Sequence, residues 1–333
     1  MKIAQLSTPH LPTPPAGYGA SELIASLITE ELVHQGHEVT LFAHGGSTTA
    51  ARLIHFPEVE LFDKFDYREL AHVSRALALC DGFDVVHNHC LFAGPAMANL
   101  RSVPCISTLH YVHPVLASFP EHRYVAVSFS QRDRVRGLNV VGVVQNAVDT
   151  RQFHLSSAKE DYLLFLGRFH PNKGVDLAIQ VARRVGTRLL IAAPAPHADQ
   201  QRYFDEEVRP HLGHQIEYLG EVAGERKSEL LARARCLLLP DRWEEPFGLV
   251  AVEAMASGTP VVAMRRGALP ELVIHGETGF LVEGVEEMVQ ATRQVEGISP
   301  HRCRVHAVSN FGIERMVEGY LRIYQQVLGD ARA

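Results

Sequence analysis

The sequence predicts an α/β protein made of two parallel-sheet domains, and three observations predict it. The chain opens as strand, helix, strand, the order that a parallel sheet requires. The same alternation restarts at Tyr162-Leu-Leu-Phe-Leu166, after the apolar pattern lapses over Thr150 to Glu160. At 333 residues the chain is too long for one typical domain and long enough for two cores of about 150 residues each.

In the first half, Lys2 to Ser7 is a short apolar strand. A loop rich in turn residues, Thr8 to Gly19, leads to a helix from about Ala20 to Gln35, which Gly36 ends. Strands are expected over His37 to Ala43, Arg52 to Phe56, Asp84 to His87, Pro104 to Leu109, Tyr124 to Val127 and Val140 to Val144, with a helix near Tyr67 to Leu79. No G-x-G-x-x-G follows the first strand, which argues against a dinucleotide-dependent dehydrogenase. Two strands end in histidine, in Val86-His87-Asn88-His89 and in Thr108-Leu109-His110-Tyr111-Val112-His113. Ligands of open parallel sheets lie beyond such strand ends. No carboxylate or cysteine completes a ligand set with these histidines, so no metal is expected, and His89 and His113 read as loop histidines.

In the second half, Gly167-Arg168-Phe-His-Pro-Asn-Lys173-Gly174 places two cations in a tight turn after a buried strand. Such a turn can grip a diphosphate or be a charged surface turn. A helix follows from about Val175 to Val185, then strands at Arg188 to Ala192, Ile216 to Leu219, Cys236 to Leu239 and Val261 to Ala263. Between Phe247 and Arg265 the only charged residue is Glu253, in a run that reads as a helix buried on most faces and then a core strand. A lone buried carboxylate there must meet hydrogen-bond donors from the protein or from a ligand. Glu245 precedes that helix in a loop held by Trp243, Pro246 and Gly248, which puts Glu253 about two turns further down. Glu244 is off that register and reads as solvated. The amides after Phe247 open the helix, where unpaired N–H groups favour an anion. Hydroxyl-binding acids at two ends with an anion site between them suit a sugar nucleotide.

Composition excludes other classes. Hydrophobic residues make up 46% and charged residues 21%, with a formal net charge of −6, so no basic surface for nucleic acid is expected. Five scattered cysteines without a C-x-x-C pair, and an N-terminus that enters a strand directly, suggest a reduced, cytoplasmic protein. No run reaches the roughly 18 apolar residues of a membrane span. Nothing in the pattern sets an oligomeric state.

The stretch Glu245-Pro-Phe-Gly-Leu-Val-x-x-Glu253-Ala-Met-Ala-x-Gly-x-Pro-Val-Val262 resembles the Glu-x7-Glu signature of the family-4 retaining glycosyltransferases. The resemblance implies a GT-B fold: two Rossmann-like parallel-sheet domains facing a deep interdomain cleft, with a C-terminal helix crossing back to the first domain. It divides the chain into an acceptor-side domain (1–152), a nucleotide-sugar-binding domain (153–310) and the returning helix (311–333). A dimer-forming stripe is the alternative for that helix, whose apolar residues are Met316, Tyr320, Ile323, Tyr324 and Val327.

By the same resemblance Glu245 faces the transferred sugar and Glu253 binds the ribose. Arg168 and Lys173 hold the donor diphosphate and stabilise it as it leaves. His110, in a Thr-x-His motif, lies near the donor sugar, and Gly17 and Gly19 belong to the loop near the phosphate. Phe247, Gly248 and Leu249 supply helix-start amides, and Val222 lies in the turn that meets the base. The family's Gly-Gly pair reads Gly19-Ala20 here, so Ala20 would be strained if it had to adopt φ > 0. Gln145-Asn-Ala147-Val-Asp149 resembles the turn that closes the first domain, and Gly267 to Glu271 resembles a further element of the site.

The expected reaction moves a sugar from a nucleoside-diphosphate sugar, UDP-linked by preference and GDP-linked as the second choice, to a hydroxyl acceptor, without a metal or separate cofactor. The rival readings are a glycoside phosphorylase or sugar-nucleotide epimerase of the same fold, and a non-catalytic sugar-nucleotide binder.

Overall fold

The structure, a computed structural model, describes residues 1–56, 67–91, 93–98 and 102–330, without the side chain of Met97. Its contacts separate two compact units. One comprises Met1–Ala147 together with the C-terminal segment from Ile313, and the other comprises Val148–Gly312.

The first unit begins with β1 (Lys2–Leu6), α1 (Ala20–His34), β2 (Glu38–Phe42) and β3 (Arg52–Ile54). It continues with α2 (Arg68–Ala78), β4 (Val85–Asn88), α3 (Ala93–Ala98), β5 (Cys105–Thr108), β6 (Arg123–Ala126), α4 (Phe129–Arg134) and β7 (Val140–Val143). These strands form one sheet in the order β3-β2-β1-β4-β5-β6-β7, parallel at each pairing. The short apolar runs form strands because the sheet is covered on both faces, so Val85, Val86, Ile106 and Val125 are all buried.

The second unit holds β8 (Tyr162–Leu166), α5 (Val175–Val185), β9 (Arg188–Ala192), α6 (Ala198–Tyr203), β10 (Ile216–Gly220), α7 (Gly224–Arg233) and β11 (Cys236–Leu239). Then come α8 (Leu249–Ala256), β12 (Val261–Met264), α9 (Leu269–Leu272), β13 (Gly279–Val282), α10 (Val285–Gln294) and α11 (Pro300–Asn310). Its sheet runs β10-β9-β8-β11-β12-β13, again parallel throughout. Its core collects Leu163, Phe165, Phe169, Ile179, Leu189 and Leu238 among others.

The final helix, α12 (Ile313–Asp330), belongs to the first unit. Residues 331–333 of the expected helical segment lie outside the described residues. Met316, Val317, Tyr320, Ile323, Tyr324 and Val327 recur at helical spacing and are buried, and α12 packs against α1 and β7. The apolar stripe is thus used within the chain. Among the described residues, no helix is long and apolar enough to cross a membrane.

Candidate active site

In each sheet the strand order reverses once, between β1 and β4 in the first unit and between β8 and β11 in the second. Loops leaving neighbouring strands diverge there, and the crevice at those carboxyl ends is where open parallel sheets take ligands. Most of the residues singled out in the sequence sit at these two places.

In the second unit, the loops after β8 and β11 are bound to each other. Phe169 is fully buried and anchors the first loop, and His170 Nδ1 accepts the Asn172 amide at 3.1 Å to start the turn over Pro171–Lys173. Gly174 ends it at φ 67°, ψ 32°. A Cβ there would lie 2.2 Å from the Pro240 carbonyl oxygen, so only glycine lets the second loop come this close. Arg242 fastens that second loop: its amide donates to Asn172 O at 2.7 Å, and its guanidinium donates to Pro171 O at 2.9 Å and to Asp176 Oδ1 at 2.7 Å.

This fastening brings Lys173 and Glu245 together. The Lys173 ammonium donates to the Glu245 carboxylate and to Asp241 Oδ1 at 3.1 Å, and it stands 5.1 Å from the Trp243 ring centroid. The Trp243 indole N–H bridges the same two acids, 3.2 Å from Asp241 Oδ1 and 3.0 Å from Glu245 Oε2. Burial works against the Lys173 charge, but Glu245 and Asp241 outweigh it and hold the ammonium above its ordinary pKa. At Asp241 burial prevails: it pushes the acid up to about 6, the Glu245 charge adds to the rise, and Lys173 opposes it. The imbalance has a simple origin, because one ammonium serves two carboxylates. From the other side, Ala268 N donates to Glu245 O at 2.9 Å, and Gly267 N donates to Glu244 Oε2 at 2.7 Å. Glu244 is therefore bound to the backbone, not simply solvated as its register suggested.

The helix α8 starts just after Gly248, φ 98°, with no side chain capping it. Its first amides are therefore available to an anion. Glu253 is the fifth residue of this eight-residue helix, little more than one turn from its start. The two turns expected from Glu245 include the loop residues Pro246, Phe247 and Gly248, so only part of that span is helix. Glu253 is 3% exposed, and Lys227 Nζ on α7 meets its Oε1 at 2.7 Å. The donor that a buried carboxylate requires is thus supplied by the protein. Val222, half-buried, follows β10.

In the first unit, the long loop after β1 ends at Gly19, φ 148°, where a Cβ would come within 2.8 Å of Pro15 Cβ. Gly17 is exposed and Gly19 buried. Ala20 opens α1, and no residue other than glycine has positive φ among the described residues, so the strain considered for Ala20 does not arise. His110 is half-buried just beyond β5, and its Nε2 lies 2.8 Å from His89 Nδ1. Burial pushes His110 down to about 4, so it is neutral near pH 7. His89, read as a loop histidine, is 3% exposed and bonded to Gln5. No group of three or more His, Cys, Asp or Glu is placed to hold a metal ion among the described residues.

Sequence reasoning missed Asp241 and Lys227. Asp241 carried a usable signal, as the first acid beyond a buried strand at the switch point. Lys227 carried none, because its partner is 26 residues away and on another element.

Two parallel α/β units, each with polar groups gathered at the reversal of its strand order, define a protein of the GT-B class. The chain belongs to the family-4 glycosyltransferases: residues 21–152 match Glycosyltransferase Family 4, and residues 160–296 match Glycosyl transferases group 1. N-acetyl-alpha-D-glucosaminyl L-malate synthase of Bacillus anthracis is 25% identical, over 94% of this chain and 95% of its own. AviGT4, a glycosyltransferase involved in avilamycin A biosynthesis, is 29% identical with a TM-score of 0.78, covering 99% of this chain and 98% of that one. Anabaena HepE in complex with UDP and glucose shares the fold at 19% identity and a TM-score of 0.76, covering 98% of this chain and 100% of its own.

Proposed function

We propose that this glycosyltransferase moves a hexosyl group from a UDP-sugar to a hydroxyl acceptor with retention of anomeric configuration, without a metal ion, in the cytoplasm. The observation that carries the reading is the cluster of Lys173, Glu245 and Asp241 between the loops after β8 and β11, beside the uncapped start of α8. Lys173 and Arg168 would supply the positive charge that the departing diphosphate needs, together with the amides at Phe247, Gly248 and Leu249. Glu245 would face the transferred sugar, and Glu253, with one oxygen held by Lys227, would offer the other to the ribose. Gly17 and Gly19 would line the phosphate side of the first unit, His110 would meet the sugar, and Val222 would lie by the base.

Retention fits a departure in which the leaving phosphate oxygen takes the acceptor proton on the same face of the sugar, with no separate base. The preference for uridine follows the UDP complex of HepE.

Thermal stability with UDP, GDP, ADP and TDP tests the reading. A rise of a few degrees is expected with UDP, lost in Glu253→Ala and in Lys173→Ala. No rise with any of the four would overturn the assignment, and an inverted product anomer would overturn retention.

A further inference from the structure

Gln5, His87 and Thr108 lie on one face of the first sheet, since Gln5 pairs with His87 across β1 and β4 and His87 with Ile106 across β4 and β5. The helix α12 lays Tyr320 and Tyr324 on that face. An unbroken chain of buried contacts results. His110 Nε2 lies 2.8 Å from His89 Nδ1, and His89 Nε2 lies 3.0 Å from Gln5 Oε1. Gln5 Nε2 donates to Tyr324 Oη at 3.2 Å, and that oxygen is 2.7 Å from His87 Nδ1. His87 Nε2 is 2.7 Å from Thr108 Oγ1, which is 2.9 Å from Tyr320 Oη.

The amide of Gln5 gives this chain a direction. Its oxygen can only accept, so His89 Nε2 carries a hydrogen. Burial keeps His89 neutral, with its pKa well below the ordinary value, so it has one hydrogen and its Nδ1 is a lone pair. His110 Nε2 must then bring the hydrogen of their shared bond. The remaining nitrogen of His110, Nδ1, is then a lone pair, on a half-buried ring whose Nε2 is the atom that meets His89.

We propose that His89 is a positioning residue that fixes His110 as the Nε2–H tautomer, so that Nδ1 accepts a hydrogen from a sugar hydroxyl of the donor, and that Gln5 and Tyr324 tie this choice to the C-terminal helix. The inference rests on His110 meeting the donor sugar, as in the function proposed above. No covalent step is involved: a substrate O–H donates and His110 accepts. Without His89 neither the tautomer nor the orientation of the ring is held, and the bond from the sugar hydroxyl is lost.

The test uses the full chain labelled with 15N at histidine. Two-bond proton–nitrogen spectra need no substrate, and they are expected to show His110 and His89 both protonated at Nε2. Protonation of His110 at Nδ1 would mean that the chain runs the other way and would overturn the proposal. Binding supplies the second arm, with UDP and UDP-glucose as probes. In His89→Leu the affinity for UDP-glucose should fall roughly five- to tenfold, the worth of one hydrogen bond, while that for UDP stays unchanged. His89→Asn, whose side-chain oxygen takes the place of Nδ1, should recover most of the loss. Equal losses for UDP and UDP-glucose, or no loss for either, would refute it. Should His89→Leu fail to fold, the wild-type tautomer and the Asn variant still decide. Failure of the wild type to bind either probe would instead strike at the proposed donor, and the spectra would separate that result from a wrong tautomer.

Discussion

Asp241 is the residue whose cost is most visible. It is 2% exposed and shares one ammonium with Glu245, and burial leaves its pKa at about 6. The folded state therefore binds a proton at a pH where the unfolded state, with an ordinary carboxyl near 3.9, does not. With the folded pKa raised, this group's contribution to stability grows as pH falls from about 7 towards 4 and is lost as pH rises through about 6. Asp241→Asn removes the titration. The expected result is that the melting temperature of wild type relative to Asp241→Asn climbs between pH 7.5 and pH 5, and a difference that stays flat across that range would contradict the assignment. Glu253 and Lys227 form the complementary case, one acid with one base. Glu253→Ala leaves a partly buried ammonium unpaired and should cost about 2–4 kcal/mol in urea titration, whereas replacing both residues, Lys227→Met with Glu253→Leu, should restore much of that stability without restoring UDP binding.

Gly174 shows how much of the site is made by elements rather than by single charges. Its φ of 67° and the 2.2 Å that would separate a Cβ from Pro240 O let the loop after β11 lie against the turn after β8. Gly174→Ala should therefore destabilise the protein by about 2–4 kcal/mol, a fall of roughly 5–10 °C in Tm. The shift with UDP should vanish in the same variant, because Lys173 and Glu245 are brought together by that contact; a variant that melts lower yet binds UDP normally would show that the loops are held by Arg242 and Asp176 alone. The elements were the legible part of the sequence. Strands such as Tyr162–Leu166 and Cys236–Leu239 fall where unbroken apolar runs placed them, since strands covered on both faces need such runs. The start of α8 was legible to within a residue, from the loop of Pro246 and Gly248 before it, and Gly248 takes the positive φ that such a break needs. The pairing of Lys227 with Glu253, the sharing of Lys173 and the burial of His89 depend on contacts between distant elements, for which a single sequence carries no periodic signal.

At the scale of the molecule, the C-terminal helix completes the first unit. Its Tyr324 hydroxyl meets Gln5 and His87, all three fully buried. Tyr324→Phe keeps the ring and removes only the oxygen, so Gln5 Nε2 and His87 Nδ1 lose their partner without a cavity opening. Leaving such groups unpaired costs about 1–3 kcal/mol. That cost falls on β1, β4 and α12, whereas the nucleotide, in the function proposed, meets the first unit only at the loop of Gly17 and Gly19 and is otherwise held by loops and helices of the second. Tyr324→Phe should accordingly lower the temperature at which the first unit unfolds, read by amide exchange of β1 and β4, and leave the affinity for UDP within a factor of two of wild type. The converse holds for Gly174→Ala, which should spare exchange in β1 and β4 while abolishing the response to UDP. If instead Tyr324→Phe weakened UDP binding as strongly as it loosened β1, the nucleotide would have to draw on more of the first unit than the loop of Gly17 and Gly19, and the division of labour between the two units would fail.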